Sequence, residues 1–169
     1  FYSWPTLRTV ETWRAQAQGR EMFYTVKASE LITHIRKFEG TDTLVRDFGY
    51  IADLLGPRMG CFLFQLPPSY QYSWARLESI IAQLDPARRN VVEFRHPSWF
   101  DSEVTAMLRE HGVALVIGDR PERAFQTHEM TADWTFIRFH YGHRGRRGNY
   151  SATELETWRR RIAQWRRKV

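Results

Sequence analysis

Hydrophobic and polar positions recur in a regular order along the chain. Short apolar runs rich in β-branched and aromatic residues are typical of strands, and these runs are FYTV (23–26), CFLF (61–64), VVEF (91–94), VALVI (113–117) and WTFIRF (134–139). Between them, apolar residues repeat at spacings of three and four, which predicts helices with one apolar face at 3–16, 43–56, 73–84, 101–112 and 151–165. Strands that alternate with helices at this spacing indicate βαβ units and a parallel sheet.

The last helix has the clearest start signal. Ser151 and Glu154 have the spacing of a capping box, in which each side chain binds the backbone of the other residue. The pattern therefore predicts that this helix begins just after Ser151.

Each apolar run is followed by polar side chains. Side chains alternate across a strand, so Glu93 and Arg95 share one face while Val92 and Phe94 share the other. In a parallel barrel the apolar face meets the helices, and the opposite face lines the mouth where barrel enzymes keep their chemistry. We therefore expect the polar residues of the strand ends to converge there: Lys27, Gln65, Glu93, Arg95, Asp119 and Arg138.

Composition limits the class of protein. The chain has 169 residues, 43% of them hydrophobic, which is enough to build the core of a single domain. No window reaches the ~18 apolar residues of a membrane span, so we expect no membrane partner and a cytoplasmic location. Cys61 is the only cysteine, which excludes an intrachain disulfide, and its apolar neighbours predict a place in the core.

The charge balance favours anionic partners. The formal net charge is +6, and arginines are concentrated in GHRGRRGNY (142–150) and WRRRIAQWRRKV (158–169). The alternative for the second run is a solvated arginine-rich helix without a partner.

Five segments carry a resemblance to a known family: TVKASELITH (25–34), FQLPPSY (64–70), VEFRHPSWF (92–100), LREHGVAL (108–115) and RGNYS (147–151). In this order they resemble the domain-of-unknown-function 72 family, also called YecE-like proteins. The resemblance implies an α/β fold of TIM-barrel type over 1–169 and no established biochemical function. It also implies a partial barrel, with about strands three to seven of eight and truncation at both ends, so open sheet edges can lead to self-association.

Glu93 is the first candidate for chemistry, because it is the only acid within a strand body near the expected mouth. It can act as a general base or a metal ligand, with Lys27 and Arg95 holding it ionised or binding an anionic substrate. The structural alternative is an ion-paired plug that closes the mouth without catalysis.

His140 and Asp119 extend this candidate catalytic set, and His96 is a candidate for substrate binding. His96 and His140 titrate near neutral pH and can transfer protons if they face the mouth, although His96 follows Arg95 and can point the other way. Glu93, Asp119 and His140 could hold a metal in principle, but no tight ligand spacing supports it. We therefore expect neither a metal nor another cofactor.

Further residues are candidates for binding a substrate. Gln65 can donate a hydrogen bond, Arg138 adds positive charge at a strand end, and Trp99 can either stack on a ring-shaped ligand or cap the core. The loop after the last strand resembles the phosphate-binding position of TIM barrels and contributes Arg144, Arg147 and Asn149. An exposed loop without a ligand is the alternative.

The function predicted from these features is acid–base catalysis on a small polar, anionic substrate, phosphate-like or sugar-like, at the carboxyl ends of the strands. One alternative is a nucleic-acid-binding or nucleic-acid-processing barrel, which rests on the arginine runs but lacks an interleaved aromatic stacking motif. The other alternative is a non-catalytic binding or scaffold protein.

Overall fold

The computed structural model describes residues 4–120, 122–143 and 149–167. Within them the strands are β1 (Tyr24–Lys27), β2 (Met59–Gln65), β3 (Asn90–Glu93), β4 (Ala114–Gly118) and β5 (Phe136–Arg138). Each overlaps one of the predicted apolar runs. The chain groups into two compact units, residues 1–99 and residues 100–169.

The helices also follow the predicted pattern. They are α1 (Leu7–Gln16), α2 (Asp42–Phe48), α3 (Tyr50–Leu55), α4 (Trp74–Gln83), α5 (Ser102–Glu110) and α6 (Ala152–Trp165). The predicted helix over 43–56 is divided at Gly49, where a Cβ would lie 2.8 Å from the carbonyl oxygen of Arg46. Short 3₁₀ turns cover Gly56–Arg58 and Pro97–Trp99, and a π-helix that the sequence did not predict covers Leu31–Ile35.

In the first unit, β1, β2 and β3 are parallel and adjacent in chain order. Phe62 and Phe64 of β2 pack on Phe48 and Phe38, with ring centroids 5.6 and 5.7 Å apart. Apolar residues of α3 and α4 complete this core; Ile51, Leu55, Leu77 and Ile80 are all at most 1% exposed. Cys61 is 4% exposed, as its apolar neighbours predicted.

In the second unit, β4 and β5 are parallel neighbours, and every residue of β4 is buried. Thr131 extends the hydrogen bonding at the start of β4, because its hydroxyl donates to Val113 O at 2.7 Å and accepts from Leu115 N at 2.9 Å. Helix α6 begins with the predicted capping box, since Ser151 and Glu154 bind each other's backbone N–H.

The order of elements confirms the predicted fold class, an α/β fold with parallel strands of the kind found in a partial TIM barrel. The extent of the single predicted domain stays a prediction. Across the described ranges, none of the helices has the length and apolar character needed to span a bilayer.

Candidate functional site

The strand register of the first unit separates an aromatic face from a polar face. Residues paired in register lie side by side, and Gln65 is paired with Glu93. Phe64, the preceding residue of β2, points the other way and packs on Phe38. Since side chains alternate, Gln65 and Glu93 lie on the face opposite the aromatic core. This is the alternation expected for Glu93 from the sequence.

Glu93 is a buried carboxylate, and each of its two oxygens accepts a hydrogen bond from a side chain. It is 1% exposed, its Oε2 accepts from Gln65 Nε2 at 2.7 Å, and its Oε1 accepts from Arg95 Nε at 3.1 Å. Gln65 is itself 4% exposed. A buried charge is costly unless it is paired and hydrogen-bonded, so this arrangement explains how an acid can occupy the end of an apolar strand.

Arg95 connects this buried carboxylate to the surface, because its side chain is 20% exposed. In the part of the chain that the structure describes, its hydrogen bonding goes to Glu93 through Nε. The terminal nitrogens of the guanidinium are therefore held in place by a contact that does not use them. That geometry suits the recognition of an oxyanion.

His34 lies near this cluster and was not among the site residues predicted from the sequence. Burial is the main cause that lowers the pKa of its imidazole, and the positive charge of Lys27 lowers it further. Glu30 opposes this shift, and Arg95 and Glu93 have smaller effects that lower and raise the pKa, respectively. His34 closes the segment TVKASELITH. No pattern in the sequence predicted the π-helix over Leu31–Ile35. π-Helical turns occur often at functional sites.

The backbone after the π-helix adopts an unusual conformation. Lys37 and Phe38 have φ of 51° and 65°, the left-handed region that a bulky residue rarely adopts. The carbonyl of Lys37 accepts from the Tyr70 hydroxyl, and that of Phe38 accepts from Ser79 and Gln83. These hydrogen bonds stabilise a turn that would otherwise be strained.

Trp99 and His96 have local structural contacts. Trp99 is 0% exposed, stacks on Phe94 with centroids 4.1 Å apart, and donates from Nε1 to Tyr70 O at 2.6 Å. It therefore caps the core, the second of the two alternatives considered for it. His96 Nδ1 contacts Ser98 Oγ at 2.8 Å within the turn that follows β3. The role proposed for His96 in substrate binding stays a prediction.

The second unit contains another buried carboxylate, Asp119, just after β4. Its side chain is 1% exposed; Oδ1 accepts from the backbone N of His140 at 2.9 Å and lies 3.3 Å from His140 Nδ1. Oδ2 accepts from the Tyr150 hydroxyl. Burial and then the hydrogen bond to Asp119 raise the pKa of Tyr150. A carboxylate that fixes the orientation of an imidazole is a common basis for acid–base catalysis.

Glu154 binds the chain on both sides of residues 144–148, which lie outside the described residues. Its Oε1 accepts from His143 N at 2.8 Å and Nδ1 at 2.9 Å, while Oε2 accepts from Ser151 N and Oγ at 2.7 Å. The two backbone N–H groups are the main reason that the pKa of Glu154 is lowered. Asn149 is exposed, whereas the candidates Arg144 and Arg147 lie outside the described residues.

Two basic residues, Lys27 and Arg138, lie at the ends of strands. Lys27 is the last residue of β1, is half-buried and pairs in register with Leu63. Arg138 is the last residue of β5, is half-buried and pairs in register with Gly118, directly before Asp119. Within the described ranges, His, Cys, Asp and Glu side chains form no group of three suited to a metal ion.

The comparison with protein families agrees with the order of these elements. Residues 1–169 match the family described as "Protein of unknown function DUF72". The chain belongs to the DUF72 family. No curated protein matches the chain, and the description of the family names no reaction.

Solved DUF72 structures have the same fold. A DUF72 family protein from Thermotoga maritima MSB8 is 25% identical, with a TM-score of 0.83 over 100% of this chain and 71% of that one. Two crystal structures of a DUF72 family protein from Enterococcus faecalis V583 have 17% and 18% identity and TM-scores of 0.78 and 0.70. They cover 98% and 95% of this chain and 74% and 63% of theirs. At that identity the Enterococcus proteins show the fold alone.

Proposed function

We propose that this DUF72 chain is an enzyme that binds a small polar anion, phosphate-like or sugar-like, at the carboxyl ends of its strands and acts on it by acid–base chemistry. The observation that carries the proposal is the guanidinium of Arg95, anchored through Nε to a carboxylate that is 1% exposed.

The neighbours of Arg95 support an anion rather than a cation as the ligand. Lys27 and Arg95 both lie close enough to His34 to lower its pKa. The two oxygens of Glu93 already accept hydrogen bonds from Gln65 and Arg95. Glu93 thus serves best as a positioning residue, with Arg95 and Lys27 providing charge for the ligand.

The second unit contains a group suited to proton transfer. Asp119 accepts hydrogen bonds from His140 and Tyr150, and the side chain of His140 is 14% exposed. An imidazole oriented by a buried carboxylate can give and take a proton near neutral pH. This pair supports the acid–base part of the proposal independently of the anion site.

Anion binding can be tested by calorimetry with inorganic phosphate, acetate and a hexose phosphate as probes. We expect saturable binding of at least one probe, weakened about 10-fold or more by Arg95→Ala, because a hydrogen bond to a charged group contributes about 1.5–3 kcal/mol. Arg20→Ala is the matched control, since Arg20 is exposed and precedes β1. The absence of binding by all three probes, or an equal loss in both variants, would contradict the proposal.

The acid–base step can be tested without knowing the product. Incubation of small carboxylates and phosphate esters in D₂O, followed by proton NMR, detects exchange of a C–H proton with solvent. We expect exchange with the unmodified chain; its loss in Arg95→Ala would assign the proton transfer to the first unit, and its loss in His140→Asn would assign it to the second. Exchange that persists in His140→Asn and in Arg95→Ala would show that it occurs elsewhere.

A nucleic-acid function has weaker support. On α6, Glu156 pairs with Arg159 at 2.7 Å and with Arg160 at 3.2 Å, so part of the positive charge of the C-terminal helix is neutralised locally. Binding to DNA or RNA that falls steeply with salt would favour that alternative. Weak binding with a shallow salt dependence would favour the small-anion function.

A further inference from the structure

The hydrogen bonds of Thr33 determine how His34 presents its ring. Thr33 is 0% exposed, and its Oγ1 contacts Ser29 O at 3.3 Å and His34 Nδ1 at 2.8 Å. A carbonyl oxygen can only accept, and a threonine hydroxyl has one proton to donate. Both contacts are hydrogen bonds only if Thr33 donates to Ser29 O and the His34 Nδ1–H donates to Thr33.

This arrangement leaves Nε2 as the basic atom of the neutral ring. In a neutral imidazole, one nitrogen carries the proton and the other has the lone pair. With the proton on Nδ1, the lone pair is on Nε2. Burial and the charge of Lys27 lower the pKa of the ring, which favours its neutral form.

The π-helix is what puts Thr33 and His34 in these positions. Arg36 N donates to Leu31 O at 2.9 Å, five residues back, in place of the spacing of an α-helix. The charged groups around the ring come from three places: Lys27 at the end of β1, Glu30 before the π-helix, and Glu93 and Arg95 at the end of β3.

We infer that His34 is a proton-accepting residue through Nε2, acting on a hydroxyl or C–H group of an oxyanion that Lys27 and Arg95 bind. In this step the proton moves from the substrate to Nε2, and the electron pair stays on the substrate, where the two cations stabilise it. The inference rests on the proposed function, since it uses the same anion site.

The tautomer can be measured without any substrate, by nitrogen-15 NMR of the histidine rings. We expect His34 at neutral pH to carry its proton on Nδ1 and a lone pair on Nε2. Thr33→Val should shift His34 toward the other tautomer, whereas Thr105→Val, at a buried threonine of α5, should leave it unchanged. An Nε2–H tautomer in the unmodified chain would overturn the inference, even if Thr33→Val fails to fold.

The link to the ligand requires a second measurement on the same signals. Titration with inorganic phosphate and, separately, with acetate should shift the His34 Nε2 resonance in a saturable way. Arg95→Ala should abolish that shift, and the stronger probe distinguishes a phosphate ligand from a carboxylate.

The outcomes separate the two proposals. Saturable binding that Arg95→Ala weakens, with an unshifted His34, would overturn the role of His34 and leave the proposed function intact. No saturable binding of either probe, measured by calorimetry, would contradict both proposals. A His34 shift lost in Arg95→Ala, together with the Nδ1–H tautomer, supports the inference.

Discussion

The two units each bury one carboxylate at a strand end, but they give it different partners. The side chains of Glu93 in the first unit and of Asp119 in the second are each 1% exposed. Glu93 accepts from an amide and a guanidinium, whereas Asp119 accepts from an imidazole and a phenol. The burial is equal, and the chemistry of the donors differs.

That difference determines how each site responds to pH. A guanidinium stays charged and an amide stays neutral across the accessible pH range, so the partners of Glu93 do not titrate. The partners of Asp119 are an imidazole and a phenol, which are titratable groups, and burial and the hydrogen bond to Asp119 raise the pKa of Tyr150. The partners of Glu93 thus keep a constant charge, whereas the partners of Asp119 are groups of types that can exchange a proton.

The largest effect is expected from Asp119→Asn, which replaces an acceptor-only group with one that also carries donors. Tyr150 and His140 would then face a buried amide, and we expect a loss of about 3 kcal/mol in the free energy of unfolding. Urea denaturation measures it. Asp133→Asn, at an exposed aspartate of the same unit, should cost almost nothing. Equal stability of the two variants would show that Asp119 does not organise its site.

A smaller loss is expected from Glu93→Gln. The variant keeps the size of the side chain and removes the charge that holds Arg95. Since Arg95 is 20% exposed, water can partly solvate it, so we expect a loss of about 1–2 kcal/mol rather than the roughly 3–5 kcal/mol of a fully buried broken pair. Anion binding should be lost.

Thermal melts measure the stability of Glu93→Gln, and calorimetry measures its anion binding. Glu78→Gln, at an exposed position of α4, is the control. A large drop in melting temperature would favour the ion-paired plug considered from the sequence, whereas near-native stability with lost anion binding would favour the site.

The smallest effect is expected from Tyr150→Phe, and it should depend on pH. The folded pKa of Tyr150 is raised, so the folded chain holds this proton more tightly than the unfolded chain does. The stabilisation is complete below the ordinary tyrosine pKa of about 10 and falls as pH rises above it.

We expect Tyr150→Phe to cost about 1 kcal/mol at neutral pH, the contribution of one hydrogen bond. Urea denaturation of both chains from pH 7 to pH 11 should show the difference narrowing above about pH 10. A difference that stays constant would mean that Tyr150 does not hold its proton against Asp119.

The sequence alone determined the elements of the fold. Periods of two and of three to four along the chain are local properties, and they located β2, β4 and α6 to within a few residues. The capping box of Ser151 and Glu154 was predicted for the same reason, since its partners are three residues apart. The polar ends of the strands were also visible, because each follows its apolar run directly.

Only the tertiary structure decided which side chains meet. Gln65 and Glu93 are 28 residues apart, and Asp119 and Tyr150 are 31 apart; strand register and the path of the loop bring each pair together. His34 was overlooked because the π-helix that orients it has no distinct periodicity in the sequence, and Trp99 entered the core because Phe94 and Tyr70 enclose it. Local periodicity determines whether a residue is in a strand or a helix, whereas hydrogen-bond partners depend on packing between distant segments, which no single segment of sequence specifies.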